Sequence, residues 1–364
     1  MTKTFSVRCI GWLAASTLLA LMQTARAQPC THDTAPGTFP YHASWNPQTS
    51  RPTNAGIITQ GFVDVRDEPV VHGIDVSKWQ DQADFTHLRE CLGKTEDASS
   101  QGGMHEPFVY VRISAGEDPD NETFARTHWY NARNQNLFVG PYHAFVFRDA
   151  SSAYSALPAA QQGALLAANL ASARAQASVF VQHFGQLLGA DPSLDVTDSN
   201  YGKPYLPIVL TLMERPQSRF DVEDRRAIGK VYGQAACEWI KTVDAHKSFA
   251  HQRVMVFTSA SLFHDYGLAD APCDLGKDGV WMSAHTLDGS RFGDLSDPRV
   301  RERAASLCRT FDKDSRCVFQ QYTSYGGFAL FETSKPLDLD RFYGSVADLS
   351  NLLQHAKYPE LWKK

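Results

Sequence analysis

Residues 72–80 read His-Gly-Ile-Asp-Val-Ser-Lys-Trp-Gln, and this stretch predicts how the rest of the chain is organised. Asp75 lies between Ile74 and Val76, where a buried strand would normally carry another aliphatic residue. A carboxylate there costs several kcal/mol unless it is hydrogen-bonded or used in chemistry. We therefore expect a strand that ends beside a functional carboxylate at Asp75, with a purely structural, hydrogen-bonded Asp75 as the alternative.

Strand-like and helix-like segments alternate from residue 71 onward, which predicts a parallel sheet with helical crossovers. An Ala-rich helical segment at 153–188 is expected to be divided by Pro158 and Gly163. Eight strands suit a closed barrel, and a doubly wound open sheet is the alternative. After the first strand, the expected strands are 108–113, 138–147, 206–213, 253–258, 279–284, 317–322 and 336–342, and the main helices are 84–92, 122–136, 153–188 and 221–243.

Composition excludes several classes of function. The chain has 364 residues, a formal net charge of -5 and no run of Lys or Arg, so nothing favours nucleic-acid binding. No His-Glu-x-x-His or Cys-x-x-Cys pattern is present, and we therefore expect neither a metal site nor a cofactor.

The N-terminus has the pattern of a secretory signal. Lys3 and Arg8 precede an apolar stretch at 10–22, and a small-x-small site ends at Ala27. We expect cleavage after Ala27 and a secreted or periplasmic protein with no membrane segment afterwards. An uncleaved anchor is the alternative, although the apolar stretch is short for a membrane span.

Cysteine usage agrees with export. Cys9 leaves with the signal, and an even number of cysteines remains, which favours disulfides over metal ligands or nucleophiles. Several pairings are possible, and Cys308 and Cys317 are close enough in sequence to close one local loop. The remaining cysteines are Cys30, Cys91, Cys237, Cys273, Cys308 and Cys317.

The opening stretch resembles the first barrel strand of the family 25 glycoside hydrolases, the Chalaropsis-type lysozymes, which begin Gly-Ile-Asp-Val-Ser-x-Trp-Gln. Five further segments resemble the family in the same order along the chain, although Arg112 stands where the family usually has Lys. These segments are 108–116, Gly140-Pro-Tyr-His143, the strand at Trp281, Gln321-Tyr322 and Leu337-Asp-Leu-Asp-Arg-Phe342, which is similar to a closing Val-Asp-x-Asn-x-Phe.

The resemblance implies an irregular (β/α) TIM-like barrel of eight strands in which the late strands are poorly separated by helices. It also implies an N-acetylmuramidase that cuts the β-1,4 bond between N-acetylmuramic acid and N-acetylglucosamine in peptidoglycan or a related amino-sugar polymer. We expect a monomer with four segments: a signal peptide at 1–27, an irregular arm at 28–70, the barrel at 71–345 and a helical tail at 346–364.

Barrel enzymes place their chemistry at the C-terminal ends of the strands. The resemblance places Asp75 and Asp338 there, to hold charge near the anomeric centre and orient the substrate. Asp338 has an alternative role as a turn cap, with Asp340 the exposed residue. An acidic loop at 118–122 is either a cation site or a solvated turn. The candidate substrate-binding residues are Tyr142, His143, Trp281 and Tyr322, whose alternatives are core packing for the aromatic residues and a structural hydrogen bond for His143.

Strand four departs from the family pattern. The family carries Asp-x-Glu there, with the Glu as general acid, but Thr211 and Met213 occupy those positions. Glu214 is one residue further on and would serve as a displaced acid if a bulge turned it inward. The alternative is a solvated Glu214 and a barrel that binds glycans without cleaving them. A third possibility is a glycosidase for another amino-sugar polymer.

Overall fold

The computed structural model describes residues 70–81, 83–92, 105–149, 153–189, 204–213, 222–284, 316–326 and 337–357. Eight strands close into one barrel in chain order. The predicted eight-stranded barrel is therefore confirmed, and the open-sheet alternative is excluded. The strands are β1 (Val70–Val76), β2 (His105–Ala115), β3 (Leu137–Ala144), β4 (Ile208–Leu212), β5 (Val254–Thr258), β6 (Val280–Ser283), β7 (Cys317–Gly326) and β8 (Leu337–Tyr343).

The last strand makes the barrel irregular. Neighbouring strands from β1 to β7 pair in parallel, whereas β8 runs antiparallel to both β7 and β1. The alternation of elements predicted parallel strands only, and β8 differs. The reason is chain length: β7 ends at Gly326 and β8 begins at Leu337, while a parallel return needs roughly a dozen or more residues.

The helices form a partial outer layer around the barrel. Gly163 does not divide the Ala-rich segment as predicted, because its position faces open space and a single exposed glycine costs a helix only about 1 kcal/mol. The tail helix is shorter than the predicted 346–364. The helices are α1 (Phe85–Leu92), α2 (Ala125–Asn134), α3 (Ala159–Leu188), α4 (Val222–Ala245), α5 (Ala260–His264) and α6 (Val346–Ser350).

Helix α3 is long and apolar enough to cross a membrane by length and composition alone. Its aromatic residues are nevertheless buried in the protein. Phe180 packs on Trp239 of α4 with ring centroids 5.2 Å apart, and Phe184 stacks on Phe249 at 5.4 Å. The helix therefore packs as a core element against the barrel and α4.

Two apolar cores result from the alternation of strand side chains. One core fills the barrel and is rich in aromatic residues, and the other lies between the strands and the helices. Gly73 and Gly140 leave room inside the barrel, since a Cβ at either position would lie 2.3 Å from the ring of Phe108 or Tyr110 respectively. The glycines of both sequence signatures are therefore packing requirements.

One disulfide joins Cys237 of α4 to Cys273, and Cys317 is also disulfide-bonded. The predicted signal peptide, the arm up to residue 69 and Cys308 lie outside the described residues, so those predictions stay predictions.

Candidate active site

The carboxylates of β1 and β8 meet at one end of the barrel. Asp75 is the penultimate residue of β1, and the antiparallel register places it directly opposite Asp338 near the start of β8. Because β8 runs in the reverse direction, its beginning lies at the rim where the parallel strands end. The two residues predicted from distant segments are therefore cross-strand neighbours, whose Cβ atoms are typically about 4.5–5.5 Å apart.

Asp75 is held by two hydrogen bonds in a nearly dry environment. Its side chain is only 6% exposed. The Tyr142 hydroxyl donates to Oδ1 at 3.0 Å, and Gln321 Nε2 donates to Oδ2 at 2.9 Å. Burial, reinforced by the charge of Asp338, raises the pKa of Asp75 from 3.8 to about 8. The carboxyl therefore keeps its proton at neutral pH.

Asp340 lies beneath this pair, opposite Gly73 and fully buried. The alternative in which Asp340 is the exposed residue is therefore wrong. Its Oδ1 accepts a hydrogen bond from Trp281 Nε1 at 3.2 Å, while Oδ2 has no hydrogen-bond partner among the described residues. Burial and the neighbouring Asp75 and Asp338 raise the pKa of Asp340 well above its ordinary value.

Arg112, the cation that acts on Asp75, is already paired. Arg112 Nε donates to Glu122 Oε1 at 2.5 Å, and the backbone N–H of Lys78 donates to Glu122 Oε2 at 3.0 Å. Glu122 therefore anchors the segment after β2 to Arg112 and to the turn after β1. No group of residues suited to a metal ion occurs in the described parts of the chain, so a cation-binding role for the acidic loop gains no support.

The end of β4 contributes no carboxyl at the positions where the family pattern has one. Val209 packs inside the barrel, and Thr211, two residues further on, shares its side of the strand and pairs with Phe257. Met213 follows the strand and is 39% exposed. Glu214 lies outside the described residues, and its proposed displacement stays a prediction.

Trp281 belongs to the barrel interior. It is 2% exposed and packs against Tyr110 and Phe257 with ring centroids 4.7 and 5.0 Å apart. Its indole N–H is used by Asp340. This placement matches the core-packing alternative, and Trp281 acts on the site through Asp340.

His143 and Tyr322 lie on the outer side of the barrel wall, and the structure does not bring them to Asp75. The imidazole of His143 stacks on Trp239 of α4 at 5.3 Å and hydrogen-bonds to the side chains of Ser114 and Gln176. Tyr322 packs in the outer core, with the Arg341 guanidinium over its ring. Both side chains lie in the packing layer between the barrel and its helices, away from Asp75.

Sequence reasoning missed four residues at or near the rim: Gln321, Arg112, Asp340 and Trp79. Strand alternation could have found Gln321, because Tyr322 and Gln321 must face opposite sides. Exposure identifies Trp79, which is 54% exposed in the turn after β1. That turn is closed by Gln80 Oε1, which accepts a hydrogen bond from the backbone N–H of Ser77 at 2.9 Å.

Comparison with known proteins gives matches to one family and to solved lysozymes. The uncharacterized protein YegX of Escherichia coli strain K12 is 32% identical over 75 residues, which are 21% of this chain and 24% of that protein. A bacterial lysozyme from Streptomyces coelicolor aligns at 20% identity with a TM-score of 0.42, over 78% of this chain and 96% of the other. A muramidase from Trichobolus zukalii aligns at 19% identity with a TM-score of 0.39, over 78% and 98%.

The match to YegX spans about a quarter of that protein's length. The sequence model of glycosyl hydrolases family 25 matches residues 74–160, which run from Asp75's strand into the start of α3. The strand signatures and this match agree, and residues 74–160 are identified as a glycosyl hydrolases family 25 sequence.

Proposed function

We propose that this chain is an exported glycoside hydrolase of the muramidase type. It cleaves the β-1,4 bond between N-acetylmuramic acid and N-acetylglucosamine in peptidoglycan. The observation that carries the proposal is the shared position of Asp75 and Asp338 at one rim of a barrel whose first three strands lie in the segment that matches family 25. Glycoside hydrolysis generally uses two carboxyl groups, one protonated and one ionised. Asp75 and Asp338 bring two carboxyl groups to this rim.

Roles follow from the environment of each carboxyl. Asp338 is partly exposed and is the member of the pair better suited to carry negative charge beside the developing oxocarbenium ion. Tyr142 and Gln321 fix the orientation of Asp75. Trp79 offers an exposed ring beside the same strand end, suited to stacking on a sugar. Glu214 is the carboxyl that the sequence supplies next to strand four.

Hydrolysis of purified cell walls tests the enzyme. The wild type should clear a wall suspension and release reducing ends, and Asp338→Asn should lower the rate about 100-fold or more. Absence of reducing ends with the wild type would contradict the enzyme proposal. Equal rates for the wild type and Glu214→Gln would remove Glu214 from the mechanism.

A second candidate is a barrel that binds peptidoglycan without cleaving it, and the Thr211 and Met213 positions favour it. This candidate predicts retention of the protein on insoluble walls with no release of reducing ends. Mass spectrometry of any soluble products would identify a different amino-sugar polymer as the substrate.

Export and oligomeric state are part of the same proposal. A mature protein that begins at Gln28 and is recovered outside the cytoplasm would support a secreted or periplasmic location. Sedimentation of that mature protein as a single chain would support a monomer, and a full-length N-terminus on the recovered protein would contradict cleavage after Ala27.

A further inference from the structure

We propose that Asp75 is the proton donor of this site, in place of an acid on strand four. The inference rests on the proposed glycosidase function and names the group that protonates the leaving sugar. Strand four carries Thr211 and Met213 where the family pattern carries its carboxyls, so the donor is either Glu214, just after that strand, or a carboxyl on another strand. Asp75 is the candidate because its surroundings hold a proton in place.

The first reason is the number of carboxyls around Asp75. Asp338 lies directly across the seam between β1 and β8, and Asp340 lies one inward position below it. Like charges directly opposite on neighbouring strands repel, and several buried carboxyls in one place cannot all ionise. The set must therefore retain at least one proton at neutral pH.

The second reason is that Arg112, the described cation that acts on Asp75, already has a carboxylate partner. Arg112 is the positive group that acts on Asp75, and its Nε is bonded to the buried carboxylate of Glu122 at 2.5 Å. An arginine that is already neutralised lowers the pKa of a second carboxyl only weakly. Among the described residues, the charged and titratable groups that act on Asp75 or pair with it are Arg112 and Tyr110 from β2, Tyr142 from β3, and Asp338 and Asp340 from β8. Glu122 and Lys78, from the adjoining turns, interact with Arg112 and with each other.

The third reason is that a substrate at the rim can reach the carboxyl of Asp75 but not that of the deeper Asp340. Asp340 is fully buried below the rim, whereas Asp75 is 6% exposed at the strand end. The hydrogen bonds of Asp75 are compatible with a protonated carboxyl, because a tyrosine hydroxyl accepts as well as donates and a glutamine amide offers an oxygen after a flip. Tyr142 and Gln321 would then aim the acidic proton.

The reaction balances with water as the only co-reactant. Asp75 transfers its proton to the glycosidic oxygen as the bond from that oxygen to the anomeric carbon breaks, and the electron pair stays on the departing oxygen. Because the two carboxyls are direct neighbours, Asp338 bonds to the anomeric carbon as the glycosidic bond breaks. Water then adds its hydroxyl to that carbon and passes its proton to Asp75, which restores the acid, and the bond to Asp338 breaks to release its carboxylate.

Leaving-group dependence separates a proton donor from a structural residue. Asp75→Asn, which keeps the shape of the side chain, is compared with the wild type on peptidoglycan and on a dinitrophenyl chitooligosaccharide glycoside. A dinitrophenolate departs without protonation, whereas a sugar alkoxide does not. We expect a loss of about 100-fold or more on peptidoglycan and only a few-fold loss on the activated glycoside. The wild-type rate on peptidoglycan should also fall as pH rises through about 8, and the variant should lack that decrease.

Three outcomes would overturn the inference. Equal losses on both substrates would make Asp75 structural, and the same leaving-group pattern in Glu214→Gln would assign the donor to Glu214. Carboxyl titration of the substrate-free wild type by carbon NMR provides a readout without activity, and complete ionisation of every aspartate below pH 6 would also exclude Asp75. Inactivity of the wild type on both substrates is a different result, because it contradicts the proposed function itself.

Discussion

Two buried polar clusters include adjacent residues of β3, Tyr142 in the inner cluster and His143 in the outer one, yet they are built in opposite ways. On the outer side of the barrel wall, His143 bonds to Ser114 Oγ at 2.8 Å and to Gln176 Oε1 at 3.1 Å. Gln176 in turn bonds to both backbone polar groups of Val146. Inside the wall, Asp75, Asp338 and Asp340 bring like charges together, and Asp340 Oδ2 has no described partner.

The comparison teaches that hydrogen-bond satisfaction distinguishes a structural polar cluster from a reactive one. The outer network supplies a partner for each side-chain nitrogen of His143, and it ties β3 to α3. In the inner cluster one carboxyl oxygen has no described hydrogen-bond partner, and the aspartates retain protons. Such an arrangement destabilises the fold but is useful for chemistry. The side chains of Tyr142 and His143 point to these two different places because neighbouring strand residues face opposite sides.

The largest effect on stability should come from breaking the outer network. We expect His143→Ala to lower the free energy of unfolding by about 3 kcal/mol, since it removes the ring stacked on Trp239 and leaves Ser114 and Gln176 short of partners. Urea denaturation measures the loss. Wall-clearing activity per folded molecule should be retained, whereas Asp338→Asn should retain stability and lose activity. The opposite assignment of effects would break the comparison.

The two clusters should also change the free energy of unfolding in opposite directions as pH rises. Burial lowers the pKa of His143 from 6.5 to about 4, so the unfolded chain binds more protons and stability rises between pH 4 and 6.5. The raised pKa of Asp75, about 8, makes the folded chain bind more protons, so stability falls as pH rises toward 8.

Above pH 6.5 only the second of these effects remains. The proton of Asp75 alone should lower the free energy of unfolding by on the order of 2 kcal/mol between roughly pH 6.5 and 8, because one proton per pH unit corresponds to about 1.4 kcal/mol. Asp340, whose pKa is also raised, adds to this decrease. Urea denaturation at several pH values measures the sum. Asp75→Asn should make the decrease smaller and His143→Gln should leave it unchanged, and a flat wild-type profile would contradict the retained protons.

Single substitutions in the two clusters should change the free energy of unfolding by smaller amounts and in opposite directions. Asp340→Asn should raise the free energy of unfolding by about 1 kcal/mol at neutral pH, because the amide is neutral and its N–H groups can serve as donors. The gain should vanish toward pH 4, where folded and unfolded chains both hold the proton. Ser114→Ala, which removes a partnered hydroxyl, should instead lose about 1 kcal/mol. A loss of stability in Asp340→Asn at neutral pH would show that the carboxyl has partners of its own.

The smallest expected effect lies outside both clusters, on the exposed side of α3. Gly163→Ala should stabilise the protein by up to about 1 kcal/mol, because a Cβ at this position meets nothing within 4 Å. The gain should be the same at every pH, which makes this variant the control for the titration experiments. Gly140→Ala, whose Cβ would lie 2.3 Å from the ring of Tyr110, should destabilise instead.

Alternation of elements predicted the barrel and its strand count, and the resemblance to family 25 placed Asp75 and Asp338 at strand ends, because alternation and motif order are local properties of the chain. The sequence did not predict the antiparallel β8, since strand direction depends on how the barrel closes. The sequence also did not predict which side of the barrel wall the side chains of Trp281 and Tyr322 face. An aromatic residue on a strand packs inward, outward or at the rim according to register, and a register shift between β7 and β8 decides the case of Tyr322.

Burial and hydrogen-bond partners explain the remaining differences. Asp340 reads as an exposed residue next to Asp338, yet its side of the strand faces a dry barrel interior. Gln321 and Arg112 act on Asp75 from other strands, and no spacing rule links residues that are 246 positions apart. Thr211 and Met213 are the departures that the sequence does reveal, since a missing carboxyl is visible without coordinates.

The two carboxyls of this site come together only when β8 pairs with β1. One half of the carboxyl pair comes from the first barrel strand and the other from the last, and β8 joins them by pairing with both of its neighbours. A growing or partly unfolded chain would carry the early half of the pair with no counterpart. Under the proposed function, hydrolytic capacity should therefore appear only when β8 closes the barrel at the final folding step.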